Sequence, residues 1–186
     1  MISDADRDMM LSRIRDVPDW PKPGVTFKDI TPLLRDAPAF ARVIELLSDA
    51  GPETGEPVTA ASPPVDLVIG IEARGFILGA PVAHRLGAGF VPVRKEGKLP
   101  AETTTANYEL EYGEETVEVH RDAVAPGQRV LIVDDVLATG GTVSATVELM
   151  RAAGAEIVGV NVLLELGFLH GRDRLADVHL DALLTV

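Results

Sequence analysis

The chain reads as an α/β fold, with a central, mostly parallel sheet flanked by helices. Three observations predict it. The runs DLVIGI (66–71), RVLIVDDV (129–136) and EIVGVNVLLEL (156–166) are continuously apolar over most of their length. Strands half exposed to water alternate, whereas parallel strands covered on both faces do not. Helical stretches follow the first two runs, over roughly 75–86 and 142–153, and Gly154 closes the second. GFVPVRK (89–95) adds a strand between them. Strand and helix in alternation imply crossover connections and layers of helix on both sheet faces.

The remaining elements follow along the chain. Residues 4–16 read as a helix, with Met10, Leu11 and Ile14 on one face and Pro18 as its stop. Residues 18–35 are rich in proline and carry no period. A second helix is expected over 37–50. Asp36 can cap it, Pro38 sits in its first turn, and Phe40, Val43, Ile44 and Leu47 form its apolar stripe. Gly51 is its natural stop. GPETGEPVTAASPP (51–64) reads as an exposed loop inside one domain spanning 1–186, since its flanks are too short to fold alone. YELEY (108–112) and ETVEVH (115–120) alternate apolar and charged residues around Gly113. They predict an inserted, flexible hairpin able to cover a site.

Composition narrows the function. The 186 residues carry a net charge of −12, which disfavours general nucleic-acid binding, where Lys and Arg must neutralise phosphates. There are no cysteines, so disulfides and thiolate metal sites are excluded. The opening MISDADRDMM lacks the apolar core of a signal peptide, and no apolar run is long enough to span a bilayer. A cytoplasmic enzyme is expected.

The chemistry concentrates in VLIVDDVLATGGT, Val130 to Thr142. A buried apolar strand ends in two adjacent carboxylates, Asp134 and Asp135. Ala138, Thr139, Gly140, Gly141 and Thr142 then open a helix. The unpaired N–H groups of a helix start bind phosphate, and glycines let the backbone approach closely. Neighbouring carboxylates can accept hydrogen bonds from a vicinal diol. Phosphate plus diol describes a ribose 5-phosphate, and ligands of parallel sheets sit at the carboxyl ends of the strands. The bland reading is a helix-capping or magnesium-binding Asp pair beside a common glycine turn. It does not account for both features together. No Gly-Lys-Ser/Thr follows, so this is not a Walker loop, and GxGxxG is absent.

This stretch resembles the signature of type I phosphoribosyltransferases, which bind phosphoribosyl pyrophosphate (PRPP). RIRDVPDWPKPGVTFKDITPLL, EARGFILGAPVA, VPVRKEGKLP, YELEYG and LLELGFLHGR extend the likeness over nearly the whole chain, and resemble the adenine-specific branch of that family. The resemblance implies a type I phosphoribosyltransferase fold, with residues 1–35 as a small N-terminal hood that binds the base. It implies Mg²⁺-dependent transfer of phosphoribose from PRPP to adenine, giving AMP and pyrophosphate. Asp134 and Asp135 would hold the ribose hydroxyls, and residues 138–142 the 5-phosphate. Glu72-Ala73-Arg74-Gly75 would grip pyrophosphate, with a cis peptide at Glu72–Ala73 and Arg74 as a catalytic cation.

The same resemblance assigns Arg94, Lys95 and Lys98 to pyrophosphate, with the arginine reaching across a homodimer interface. Thr26, Phe27, Lys28 and Leu166 would bind the base, Phe27 and Leu166 on opposite faces of the ring. Lys28 stands where some members have arginine, and lysine makes no planar bidentate contact. Glu111 would manage the adenine ring proton; by itself it is one of several hairpin glutamates. Magnesium would be held mainly by PRPP oxygens and water, without direct protein ligands. Two alternatives remain open. One is transfer to xanthine, hypoxanthine or orotate, although an oxo-purine site would want a lysine where Glu165, Leu166 and Gly167 stand. The other is a PRPP-sensing regulator, which usually carries a basic DNA-binding face.

Overall fold

The computed structural model describes residues 2–49, 65–110 and 113–186. The expectations for Gly51, the 51–64 loop, Glu111 and Tyr112 lie outside these residues. The chain forms two compact units, Met1–Leu46 and Leu47–Val186.

In the first unit, helix α1 (Asp4–Leu11) is capped by Ser3, whose hydroxyl accepts the Asp6 N–H at 3.1 Å. The helix expected over 4–16 stops at Leu11 because the following residues are claimed by a strand pair. Strand β1 (Arg15–Val17) runs antiparallel to β2 (Phe27–Asp29), with Asp16 opposite Lys28. Arg15 crosses the pair to Asp29 at 2.5 Å. Helix α2 (Thr31–Arg35) begins with Pro32 in its first turn, and α3 (Ala37–Asp49) follows. Asp36 caps α3 as expected, accepting the Ala39 N–H at 3.1 Å. The salt bridges Arg13–Asp36 and Arg42–Asp6 tie distant parts of this unit together.

The second unit holds β3 (Leu67–Ile71), α4 (Arg74–Leu86), β4 (Gly89–Lys95), β5 (Thr103–Leu110), β6 (Gly113–His120), β7 (Arg129–Leu137), α5 (Gly141–Ala152), β8 (Glu156–Glu165) and β9 (Leu180–Thr185). Seven strands form one sheet in the order β5-β6-β4-β3-β7-β8-β9. From β4 to β9 the neighbours run parallel, and β6 joins β4 antiparallel. Ile69, Ile132 and Val160 are fully buried in the central strands. Burying each such side chain stabilises by roughly 1.5–3 kcal/mol. The continuous apolar runs are therefore satisfied by cover on both faces, as the α/β reading requires.

The hairpin is longer than its expected strands. Thr103 already pairs with His120, and Leu110 pairs with Gly113. Gly113 is thus a strand residue. The early part of β5, Thr103–Asn107, is polar and β-branched, so it lacks the apolar alternation that marks a half-buried strand. Parallel register then fixes the site. Ile71 stands opposite Val93, Gly70 opposite Val133, and Leu137 opposite Glu165. The segments after β3, β4, β7 and β8 consequently leave the sheet along one edge.

Candidate active site

Asp134 and Asp135 lie in the C-terminal half of β7, 8% and 4% exposed. The Asp135 N–H donates to Asp134 Oδ1 at 2.9 Å. Arg74, at the start of α4, brings its Nε to 2.8 Å from Asp135 Oδ2. That oxygen is buried and accepts no hydrogen bond of good direction within the protein. Burial pushes both carboxyls above the ordinary carboxylate range. For Asp134 the charge of Asp135 adds to the rise, whereas Arg74 partly offsets it for Asp135.

The turn beyond them has the form that the motif predicted. Gly140 adopts φ +79 and precedes α5 without any side-chain cap. No side chain therefore caps the first N–H groups of α5, as at anion-binding helix starts. Gly140 lies directly on the Gly171 carbonyl, and a Cβ on Gly171 would collide with the Ala138 carbonyl. A 3-10 turn, Gly171–Leu175, therefore forms the floor of the phosphate turn. Next to it, Arg172 grips Glu165 with two hydrogen bonds, at 3.1 and 2.7 Å, and donates to the Leu180 carbonyl at 2.9 Å. Glu165 precedes Leu166, whose N–H donates to Leu137 O at 2.9 Å.

The basic segment after β4 folds onto carboxylates. Glu72 accepts from Arg94 Nε at 3.2 Å, from the Lys95 N–H at 3.1 Å, and from Lys98 Nζ. The Glu72–Ala73 peptide is cis, as the resemblance implied. Burial opposes ionisation of Glu72, but Lys98, the Lys95 N–H and Arg94 outweigh it and hold its carboxyl below the usual range. Glu118, 3% exposed, accepts the N–H groups of Lys98 and Leu99, each at 2.9 Å. These bonds shape the loop carrying Lys98. A cavity of about 200 Å³ opens between Glu72, Lys95, Tyr108, Glu115 and Thr142, over an apolar floor of Ile71, Val93 and Val117.

Within the second unit the structure thus gathers Arg74, Asp134, Asp135, residues 138–142, Arg94, Lys95, Lys98 and Leu166 along one sheet edge. Thr26, Phe27 and Lys28 belong to the first unit. There Phe27 meets Trp20 edge-on, with ring centroids 4.4 Å apart. Lys28 Nζ sits between both oxygens of Asp16, at 2.7 and 2.9 Å. Glu111 lies outside the described residues. Sequence reasoning missed Tyr108, Glu115, Glu118, Gly171 and Arg172. Tyr108, Glu115 and Glu118 had a local signal, their places in the hairpin alternation.

Comparison with known proteins decides the family. Residues 59–181 match the phosphoribosyl transferase domain. The chain is 62% identical to the adenine phosphoribosyltransferase of Thermobifida fusca, over 93% of each chain. It belongs to the adenine phosphoribosyltransferase family. The fold agrees. The crystal structure of adenine phosphoribosyltransferase from Rhodothermus marinus superposes with a TM-score of 0.90 at 47% identity, over 99% of this chain and 100% of that one. The Saccharomyces cerevisiae adenine phosphoribosyltransferase, crystallised with an imino-altritol bisphosphate and adenine, has a TM-score of 0.88 at 35% identity. It is matched over 98% of this chain and all 100% of its own. The expected type I phosphoribosyltransferase fold is thereby established for this chain.

Proposed function

We propose that the chain transfers phosphoribose from PRPP to adenine, yielding AMP and pyrophosphate, through the residues gathered at the sheet edge. One observation carries this reading. A buried acidic pair and an uncapped, glycine-lined helix start stand at the end of one strand, with the Arg74 guanidinium on the pair. Asp134 and Asp135 accept hydrogen bonds from the ribose hydroxyls, and their negative charge favours the cationic ribose that develops as the C1′–O bond breaks. The backbone N–H groups and hydroxyls of residues 138–142 hold the 5-phosphate. Arg74, Arg94, Lys95 and Lys98 neutralise the departing pyrophosphate. Arg94 and Lys98 meet Glu72, the Lys95 ammonium meets Glu115 and Arg74 meets Asp135, so PRPP must compete with these carboxylates for the cations.

Among the described residues, no three His, Cys, Asp or Glu side chains gather into a metal cage. A magnesium ion retaining water and substrate oxygens fits such a site, and it would neutralise pyrophosphate charge. Asp134 and Asp135 would hold it, through its water. For the base, the family pattern assigns stacking to Phe27 and Leu166 and edge contacts to the Thr26 backbone. Lys28, assigned to the base site, pairs with Asp16 and would bring positive charge near the base. Glu111 takes the ring proton as N9 attacks, and the hairpin with the 95–99 loop excludes water. No described helix is long and apolar enough to cross a membrane. We place the enzyme in the cytoplasm as a homodimer, on the family resemblance.

The test is pyrophosphate release from PRPP and Mg²⁺ with adenine, hypoxanthine, guanine, xanthine and orotate offered separately. Release with adenine alone supports the reading. Release with another base keeps the PRPP site and overturns the base assignment. PRPP binding without release under any base would make the protein a sensor. Glu111→Gln is expected to lower kcat by roughly 10²–10⁴-fold, with PRPP affinity changed far less. Unchanged kcat would remove Glu111 from the mechanism.

A further inference from the structure

Glu118 takes no part in the mechanism above, and its place on the strand does not account for its burial. It lies on β6 between Val117 and Val119, which are 1% and 3% exposed in the core. Successive side chains of a strand point to opposite faces, so Glu118 turns away from that core and should meet water. It is nevertheless 3% exposed. The loop after β4 meets it there. β6 pairs antiparallel with β4, and Arg94 stands opposite Glu118. Beyond Lys95 the chain turns through Gly97, at φ +80. The N–H groups of Lys98 and Leu99 then both donate to Glu118 Oε1, each at 2.9 Å. One carboxylate oxygen has the two lone pairs that this requires.

This loop bears cations assigned to pyrophosphate, and Glu118 reaches two of them. The Lys98 backbone is held on both sides. Its N–H is on Glu118, and its carbonyl accepts Arg94 Nη1 at 3.0 Å. Arg94 thus takes part of its direction from Lys98, and Lys98 takes its own from Glu118. Both cations then converge on Glu72, Arg94 through Nε at 3.2 Å and Lys98 through Nζ. The Glu96 N–H donates to the Thr116 carbonyl at 3.1 Å, which fixes the near end of the loop to the same strand. Burial opposes ionisation of Glu118, but the N–H groups of Leu99 and Lys98 outweigh it and hold its carboxyl below the ordinary range. An apolar residue at this depth would offer these two donors no acceptor, and the loop would have to turn them elsewhere.

We propose that Glu118 is a positioning residue for the pyrophosphate cations: by fixing the Lys98 and Leu99 backbone from β6, it sets where Lys98 and Arg94 present their charges. This rests on the assignment of those cations to pyrophosphate. The test is Glu118→Ala, with Glu118→Asp, one methylene shorter, as the second variant should the first fold poorly. Calorimetry in the presence of Mg²⁺ reads the affinities for pyrophosphate, PRPP and AMP. A loop without its acceptor misplaces both cations. Pyrophosphate and PRPP should then bind on the order of ten- to a hundredfold more weakly, with AMP, which carries no pyrophosphate, within about threefold of the parent. Glu118→Asp should show the same selective loss in smaller measure. Glu118→Gln keeps an oxygen for both N–H groups and should return PRPP affinity to within about threefold of the parent. A role in stability alone would lower Tm and leave the ratio of PRPP to AMP affinity at its parental value below melting. That outcome in the alanine and aspartate variants would overturn the proposal. So would equal losses of PRPP and AMP, or a glutamine variant as weak as the alanine one, which would make charge the agent in place of loop geometry. Lys98→Ala and Arg94→Ala separate the two layers. If both bind pyrophosphate like the parent, the cations are misassigned and Glu118 has nothing to position. If they lose pyrophosphate while Glu118→Ala keeps it, only the positioning role fails.

Discussion

Asp134→Asn should melt at a higher temperature than the parent while binding PRPP far more weakly. The two effects share one cause. Asp134 is 8% exposed and adjoins Asp135, and burial followed by that neighbour drives its carboxyl well above the ordinary range. Holding a charge there costs folding free energy in the absence of ligand. Asparagine keeps an oxygen to accept the Asp135 N–H, which now arrives at 2.9 Å, and removes the charge. Replacing a buried charge in this way is expected to stabilise by roughly 1–4 kcal/mol. Each kcal/mol raises Tm by about 2–4 °C in a chain of this length. The ribose hydroxyl loses a charged acceptor worth about 1.5–3 kcal/mol, or roughly ten- to a hundredfold in PRPP affinity. Thermal melting and calorimetry check both halves. A lower Tm would mean that the carboxylate serves the fold as well as the ligand.

The sign of the pH dependence follows from the same displacement. Asp134 titrates higher in the folded chain than in the unfolded one. As pH rises, the unfolded chain releases this proton first while the folded chain still holds it. The contribution to stability is therefore complete below the unfolded carboxylate range and is lost as pH climbs through the raised folded value. Glu72, Glu115 and Glu118 are shifted downward and act in the opposite sense. Their contribution is present above the unfolded value and fades as pH falls through the folded one. Melting curves collected against pH for parent and Asp134→Asn should differ most on the alkaline side of the carboxylate range.

What the sequence revealed and what it hid divide by the range of the interactions. The strand at 89–95 coincides with the observed β4, and the motif from Val130 to Thr142 announced both its carboxylates and its helix start. Each signal is complete within about a dozen residues. The end of α1 at Leu11 could not be read locally, because Arg15–Val17 becomes a strand only by pairing with Phe27–Asp29. β9 (Leu180–Thr185) is short and interrupted by Asp181, and β8 alone makes it a strand. Glu118 looked like any hairpin glutamate until β6 paired with β4 and brought it under the N–H groups of Lys98 and Leu99. The chemistry of Asp134 and Asp135 was legible because one strand end supplies it. The partners of Arg94, Lys95 and Lys98 were not, because they come from the segment after β3 and from β6.

Gly171→Ala tests the least legible feature of the site, since the LLELGFLHGR segment carries the family likeness but no sign that this glycine packs on the phosphate turn. A Cβ at position 171 would strike the Ala138 carbonyl oxygen and stand 2.9 Å from Gly140 N and 3.0 Å from the Thr139 carbonyl carbon. All three are backbone atoms of the turn assigned to the 5-phosphate, so no side chain can swing aside to relieve the clash. Either the 3-10 segment withdraws or the turn deforms. Overpacking of this kind costs typically about 1–3 kcal/mol. It should also spoil the aim of the N–H groups at the phosphate, where a displacement of about 1 Å can cost on the order of a hundredfold. The expected result is a lower Tm together with a large rise in KM for PRPP and a smaller one for adenine. Gly159→Ala is the matched control. There the added Cβ meets nothing nearer than His179 Cδ2 at 3.5 Å, an ordinary contact. The same chemical change at Gly159 should leave both Michaelis constants near those of the parent. A Gly171→Ala enzyme that melts lower but keeps the parental KM for PRPP would show that the 3-10 floor supports the fold without setting the phosphate turn.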